Sequence, residues 1–379
     1  MTEPSALPIA QRLIAAKSVT PARGQVFDEL EAMLVPLGFA VERFVAGEGD
    51  SNPDNGGPVE NLFAIRNNGG RHFAFAGHLD VVPEGSGWHS DAYSPEIRGE
   101  LLFGRGAVDM KGSIAAFVAA LEDTPADQGT ISLIITGDEE GPAVHGTRAL
   151  IDHMQARGTV PDLCLVGEPT SVNQLGDMMK IGRRGSVNMW ITTDGTQGHV
   201  AYPHMADNPL PRLIHALHAL DGVILDTGSK WFQASNIEIT DLHVGNPAHN
   251  VIPASAEARI SCRFNDLHSG QDIIDTVRAT VEPFGASVKP IISGESFLTP
   301  PGELSDIIGA AIRAETGLEA ELSTSGGTSD ARFLSRLCPV VEFGLVNATM
   351  HKVDEAVAIA DLETLTRIYK RIIAAVFSE

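Results

Sequence analysis

The sequence predicts an α/β fold in which helices cover both faces of a mixed sheet, with a smaller α+β unit inserted into it. Three observations carry this prediction. Between Glu60 and Gly167, short apolar runs alternate with helical stretches, the pattern of a sheet layered with helices. Near Lys180 the texture changes to the alternating strands SVNMWITT, SNIEITDLHV and AEARISCRF, interleaved with two helical stretches, which suggests an antiparallel sheet backed by helices. After Thr299 the first texture returns. A chain of 379 residues exceeds one ordinary core, so two domains are expected: residues 1–179 with 295–379, and an inserted unit at 180–294.

Taken in order, the apolar spacing from Pro8 to Leu37 is helical, and LGFAVERF begins an alternating strand. SNPDNGGP is a turn cluster. Gly112 to Leu121 is the clearest helix, small and apolar on several faces and so expected to lie against a sheet. The inserted unit contributes helical stretches at Pro209–Leu220 and Ser269–Val281. PGELSDIIGAAIRAETG then resumes as helix, CPVVEFGL as strand, and Leu362–Phe377 closes the chain as helix. No repeat or low-complexity tract interrupts this order.

The formal charge of −22 argues against a nucleic-acid surface, because phosphate binding draws on clustered Lys and Arg. It would also repel an anionic small molecule unless local cations reverse it, so an acidic ligand requires a basic pocket. The apolar runs are far shorter than the roughly 18 residues of a membrane span, and no membrane partner is expected. MTEPSALPIAQRLIAAKSVTP begins with an acid and an amphipathic helix instead of a basic, then apolar, leader; the expectation is a cytoplasmic protein. Cys164, Cys262 and Cys338 lie in apolar contexts without paired spacing and are expected to be buried thiols.

Four short apolar runs end in glycine followed by a residue of metal-ligand type: FAFAGHLD to Asp80, LLFGRGAVDM to Asp109, ISLIITGDEE to Glu140 and LCLVGEP to Glu168. A fifth segment, VVEFGLVNATMHKVDE, adds His351. Strand ends are where an α/β sheet assembles a site. Two histidines and several acids without cysteine suit two hard-to-borderline divalent ions. In GHLD, one of His78 and Asp80 can bind metal while the other orients it or a neighbour. Asp109, on a glycine-supported turn, can bridge two ions. GRGAVDMKGS lacks the glycine of a dinucleotide loop and the Gly-Lys-Ser order of a P-loop. Of the adjacent Glu139 and Glu140, one can bind metal while the other takes a proton from water. Each residue alone has an ordinary reading as a polar loop or solvated turn; their coincidence at sheet ends points to a metal site.

GHLDVVP, GRGAVDMKGS, DEEG and GEPT resemble the M20 family of dinuclear-zinc aminoacylases and carboxypeptidases, with matching segments from about Ser18 to Val357. The resemblance implies a zinc-exopeptidase-like domain carrying an inserted lid and dimerisation domain. It implies two Zn²⁺ per subunit, with Co²⁺ able to substitute at one or both. His78, Asp109 and Glu168 would hold one ion and Asp109, Glu140 and His351 the other, with Glu139 as general base and Asp80 behind the ligands. RRGS, GTQGHVAYPH, NVIPA, GGTSDARF and NATMHKVDE narrow the resemblance to members that hydrolyse N-succinyl-LL-2,6-diaminopimelate. The rival is a relative acting on acetylornithine or another acyl-amino acid. In this family His199 stabilises the oxyanion in the active site of the partner subunit and Asn250 contacts substrate there, which implies a homodimer. The required basic pocket is assigned to Lys180, Arg183, Arg263 and Arg332, with Ser186, Tyr202, Gly327 and Thr328 as hydrogen-bonding neighbours. Arg184 reads equally as surface charge. His145 in GPAVHGT reads as a surface residue, not a third ligand.

Overall fold

The structure, a computed structural model, describes residues 5–378; the acid-first start of the chain, residues 1–4, lies outside them. The chain divides into two compact units, one of residues 1–181, 299–323 and 329–379, the other of residues 182–298 and 324–328.

The first unit is built on an eight-stranded mixed sheet. Its order is Ala40–Ala46, Val59–Asn67, Thr130–Thr136, His72–His78, Leu163–Val166, Val340–Glu342, Met178–Lys180, Glu321–Ser323. Strand His72–His78 runs parallel to both Thr130–Thr136 and Leu163–Val166, and Val340–Glu342 continues the parallel run. Every residue of Thr130–Thr136 is buried, because both sheet faces are covered, as parallel strands require. Helix Lys111–Glu122 packs with Ala6–Ala15, Ile359–Val376 and strand His72–His78, while helix Thr147–Arg157 packs on Val59–Asn67 and Thr130–Thr136. Phe75 stacks on Phe117 with ring centroids 4.2 Å apart. Among the described residues, no helix is long and apolar enough to cross a membrane, and Cys164, Cys262 and Cys338 are buried and free.

The helical spacing from Pro8 to Leu37 resolves into two helices, Ala6–Ala15 and Gln25–Leu34. Between them lie Pro21, which has no N–H to donate, and Gly24, whose φ of 75° leaves the helical region. The intervening backbone bonds elsewhere: the Thr20 and Ala22 amides donate to Val81 and Gly137 carbonyls at 3.0 and 2.7 Å. It thereby ties down the two loops that carry Asp80 and Glu139. Lys111 is fully buried, with Nζ donating to the Leu13 and Ala16 carbonyls at 2.8 and 2.9 Å. A cation at a helix C-terminus is favourable, although burial pulls this ammonium down to about 7.

Gly112 sits where helix Lys111–Glu122 meets the preceding loop. A Cβ there would lie 2.3 Å from the Ala107 carbonyl oxygen and 2.8 Å from Leu345. Because one obstacle is backbone, Gly112→Ala is expected to destabilise the fold by about 1–3 kcal/mol, read as a lower urea midpoint. An unchanged midpoint would show that the helix start can shift.

The second unit is a four-stranded antiparallel sheet, ordered Asn236–His243, Ser255–Phe264, Gly185–Asp194, Ala286–Gly294. One face buries Val187, Met189, Ile191, Ala258, Ile260 and Cys262 with residues of helices Pro209–Asp221 and Gly270–Val281. Ser269 begins the second helix with a capping box to Asp272. Strand Asn236–His243 is a sheet edge on which Ile239 and Leu242 are exposed.

Candidate metal centre

The parallel strands His72–His78, Thr130–Thr136, Leu163–Val166 and Val340–Glu342 deliver their C-terminal ends to one side of the sheet. His78 is the last residue of its strand; Glu139 and Glu140 follow the second, Glu168 the third, and His351 comes from the loop after the fourth. Asp109 differs from the strand-end pattern. Its preceding strand, Leu101–Phe103, belongs to a separate three-stranded sheet, and a loop carries Asp109 into the site just before helix Lys111–Glu122.

Two sets of ligand-type atoms converge. In one, His78 Nε2 lies 3.1 Å from Asp109 Oδ1 and 3.9 Å from Glu168 Oε1. In the other, His351 Nε2 lies 3.0 Å from Asp109 Oδ2 and 2.8 Å from Glu140 Oε1. The ligand atoms of each set lie within 4.8 Å of one another. Asp109 thus directs one oxygen to each histidine, the arrangement of a carboxylate bridging two cations. Ligand bonds of about 2.1 Å in a tetrahedron put neighbouring ligand atoms about 3.4 Å apart, and these separations, from 2.8 to 3.9 Å, lie on either side of that value. The imidazole and carboxylate donors suit divalent zinc-like ions.

The supporting contacts set ligand orientation. His78 Nδ1–H donates to the Asp80 backbone carbonyl at 2.8 Å, leaving Nε2 to face the site. The Asp80 carboxylate, fully buried, accepts the Glu139 amide at 3.2 Å and the Glu140 amide at 2.9 Å. Of the two roles open to it in GHLD, it therefore orients the neighbouring acids, while its carbonyl orients His78.

The electrostatics follow from imidazoles and carboxylates packed against one another, with His78, Asp109 and Glu168 buried. His351 is raised to about 10 by hydrogen bonds to Asp109 and Glu140, against the effect of burial. Burial opposes the charge on His78, but Asp109, Asp80 and Glu168 outweigh it and hold the imidazole well above its ordinary value. For Asp109, burial is overcome by His351 and His78, which push its carboxyl down. Burial and the neighbouring Glu168 push the Glu139 carboxyl well up.

Glu139 belongs to neither ligand set. It lines a small pocket of about 10 Å³ with His78, Thr147, Glu168, Asp330 and Leu334, near the smallest volume that holds a single water. Thr147 and Asp330, joined by a 2.6 Å hydrogen bond from Thr147 Oγ1, were not singled out from sequence. Asp330 stands in GGTSDARF beside residues that were, and neither its burial nor its partner is visible from local spacing. His145 lies outside both sets, its Nε2 2.8 Å from Asp50 Oδ2.

The residues expected around a substrate fall in both units. Within the first, Lys180 Nζ donates to Ser323 Oγ at 3.2 Å, and the Arg332 guanidinium lies over the Phe333 ring at 4.4 Å, with its side chain 9% exposed. Within the second, Arg183 donates to the Gly327 carbonyl at 3.0 Å, one residue from Thr328. Arg263 donates to Ser186 Oγ at 2.7 Å, and Arg184 to Asn236 at 3.1 Å. His199 pairs with Val251 on a two-stranded ribbon, which places it next to Asn250; the His199 and Tyr202 rings are 5.7 Å apart. His199, Tyr202 and Asn250 are all exposed.

Comparison with known proteins places these residues in a lineage. The chain is 67% identical to a succinyl-diaminopimelate desuccinylase of Sphingopyxis alaskensis, covering 97% of each chain. It is 64% identical to one of Erythrobacter litoralis, over 98% of this chain and 99% of that protein. Among solved structures, a Staphylococcus aureus tripeptidase superposes with a TM-score of 0.78 at 19% identity, covering 100% of both chains. A Bacillus subtilis dinuclear metal binding peptidase from the M20 family superposes with a TM-score of 0.72 at 14% identity, covering 98% of each; these likenesses concern fold. The model of peptidase family M20/M25/M40 matches residues 74–375, and with relatives of this identity along nearly its whole length the chain belongs to that family.

Proposed function

We propose that this chain hydrolyses N-succinyl-LL-2,6-diaminopimelate to succinate and LL-2,6-diaminopimelate, a step in lysine and diaminopimelate biosynthesis. The chemistry is carried by Asp109, whose two oxygens face two histidines, with Glu139 held beside them but outside both ligand sets. The substrate is carried by the likeness to desuccinylases at 64–67% identity.

Two zinc ions, or cobalt at one or both positions, would be held by His78, Asp109 and Glu168 and by Asp109, Glu140 and His351. When bound, they supply Lewis acidity toward the amide carbonyl and toward water. The chain's own residues do the rest. Asp80 fixes the Glu139–Glu140 backbone. Glu139, with a carboxyl raised by burial and Glu168, takes a proton from the attacking water and returns it to the leaving amine as the C–N bond breaks. His199 of the partner subunit would donate to the oxyanion, with Asn250 of the partner subunit contacting the substrate. A homodimer is also supported by the exposed Ile239 and Leu242 on a sheet edge, a surface that invites strand pairing.

The substrate carries three carboxylates and one ammonium. Lys180, Arg183, Arg263 and Arg332 would answer the carboxylates, Arg by bidentate pairing, with Ser186, Tyr202, Gly327 and Thr328 as polar neighbours. Three buried free thiols support a cytoplasmic setting. The test is a substrate panel run under metal titration. Succinyl-diaminopimelate is expected to turn over fastest, saturating at two metal equivalents. Faster turnover of acetylornithine would reverse the substrate assignment.

A further inference from the structure

Three of the ligand-bearing loops meet at one buried ion pair. Arg105 and Glu355 are 2% and 1% exposed at their side chains, with Nη1 to Oε2 at 2.8 Å. Arg105 Nη1 also donates to the Lys352 carbonyl at 3.2 Å, and Nη2 to the Glu84 and Pro83 carbonyls at 3.2 and 3.4 Å. Lys352 is the residue after His351; Pro83 and Glu84 follow Asp80 in the loop leaving His78. From the other side, Glu355 Oε1 accepts the Val108 and Asp109 amides at 2.8 and 3.1 Å, and Oε2 accepts the Gly106 amide at 3.0 Å. One guanidinium and one carboxylate therefore bond the loop behind His78, the backbone of the bridging Asp109 and the loop of His351.

Such a tie answers a specific need. His351 and Asp354 both occupy positive φ, 61° and 55°, which non-glycine residues hold only when their surroundings over-determine the backbone. The ligands themselves are acids brought together against their repulsion. We propose that Arg105 and Glu355 are positioning residues of the metal centre: a latch that sets the Asp109–His351 spacing and so the affinity of the Asp109–Glu140–His351 position. His78 and Glu168 stand at strand ends and depend on it less. The inference rests on the dinuclear reading of the site, not on its substrate.

The experiment measures zinc affinity of the full-length native protein and of Arg105→Lys and Glu355→Gln by competition with a chromophoric chelator. Cobalt(II) absorption serves as a second probe, and thermal midpoints are taken for the metal-free forms. Lysine keeps the charge but cannot reach all the carbonyls, and glutamine turns an NH₂ toward amide donors. Each variant is expected to bind the ion of the Asp109–Glu140–His351 set about 10–100-fold more weakly and the other, which shares only Asp109, more weakly by a smaller factor, with an altered cobalt spectrum. In Arg105→Lys the metal-free midpoint should fall only by what a few lost buried hydrogen bonds cost, while the affinity loss stays unequal between the two ions, a combination that general loosening would not produce. Two ions bound at native affinity would overturn the latch, as would equal weakening of both in step with a fallen midpoint. If Glu355→Gln fails to fold, Arg105→Lys decides alone. Fewer than two ions on the native protein would instead refute the dinuclear reading.

Discussion

Replacing Glu139 by glutamine is expected to lower kcat by about 10²–10⁴-fold while both metal equivalents stay bound and KM changes little. The side chain contributes no atom to either ligand set, so its loss should leave metal binding intact. Its backbone is held by Asp80, and glutamine preserves shape, so the fold and the position of Glu140 should persist. What disappears is the group that accepts and returns a proton. Burial and Glu168 raise the Glu139 carboxyl, which makes its carboxylate a stronger base and lets its acid form survive until the amine departs. Steady-state kinetics with metal analysis on the same preparation checks this. Near-native kcat would remove Glu139 from the proton path, and loss of one metal equivalent would make it a ligand.

How far this centre could be read from sequence depended on how local each cause was. His78, Glu139, Glu140 and Glu168 announce themselves because a strand, a glycine and a ligand follow one another within a few residues. Asp109 was visible by type, but its loop and separate sheet were not, since both depend on pairing between Leu101–Phe103 and Ala356–Ala358. Arg105 and Glu355 were invisible: they are 250 positions apart, and neither residue type signals a latch without its partner. The break between the two helices within the helically spaced Pro8–Leu37 stretch had a local signal in Pro21 and Gly24. Helical apolar spacing on either side masked it, and the distant Val81 and Gly137 carbonyls complete the break.

Stripping both metals should leave a protein whose stability falls as pH rises from about 6.5 toward 10. Without metal, His351 is protonated and shared between Asp109 and Glu140, which raises it from an ordinary 6.5 to about 10. A group raised in the folded state stabilises fully below its unfolded value, and that contribution is lost as pH climbs through the folded one. His78 is displaced in the same direction and adds to the slope. Asp109, pushed down by its histidines, acts oppositely, stabilising above its unfolded value near 3.8 and losing that only in strong acid. The metal-loaded protein should lack the alkaline slope, because an ion occupies the place of the proton. Proton and metal compete for the same imidazole nitrogens, so metal affinity should rise over the same window. Zinc added at pH 8 should release about two protons per pair of ions, measurable by calorimetry in buffers of different ionisation heat. At free zinc about 1,000-fold above Kd, each ion adds about 4 kcal/mol, so the loaded and stripped proteins should differ widely in Tm, the gap growing from pH 6.5 to 9. A constant gap with no proton release would mean that the histidines are neutral before metal arrives, and that Asp109 and Glu140 do not hold His351 as the geometry indicates.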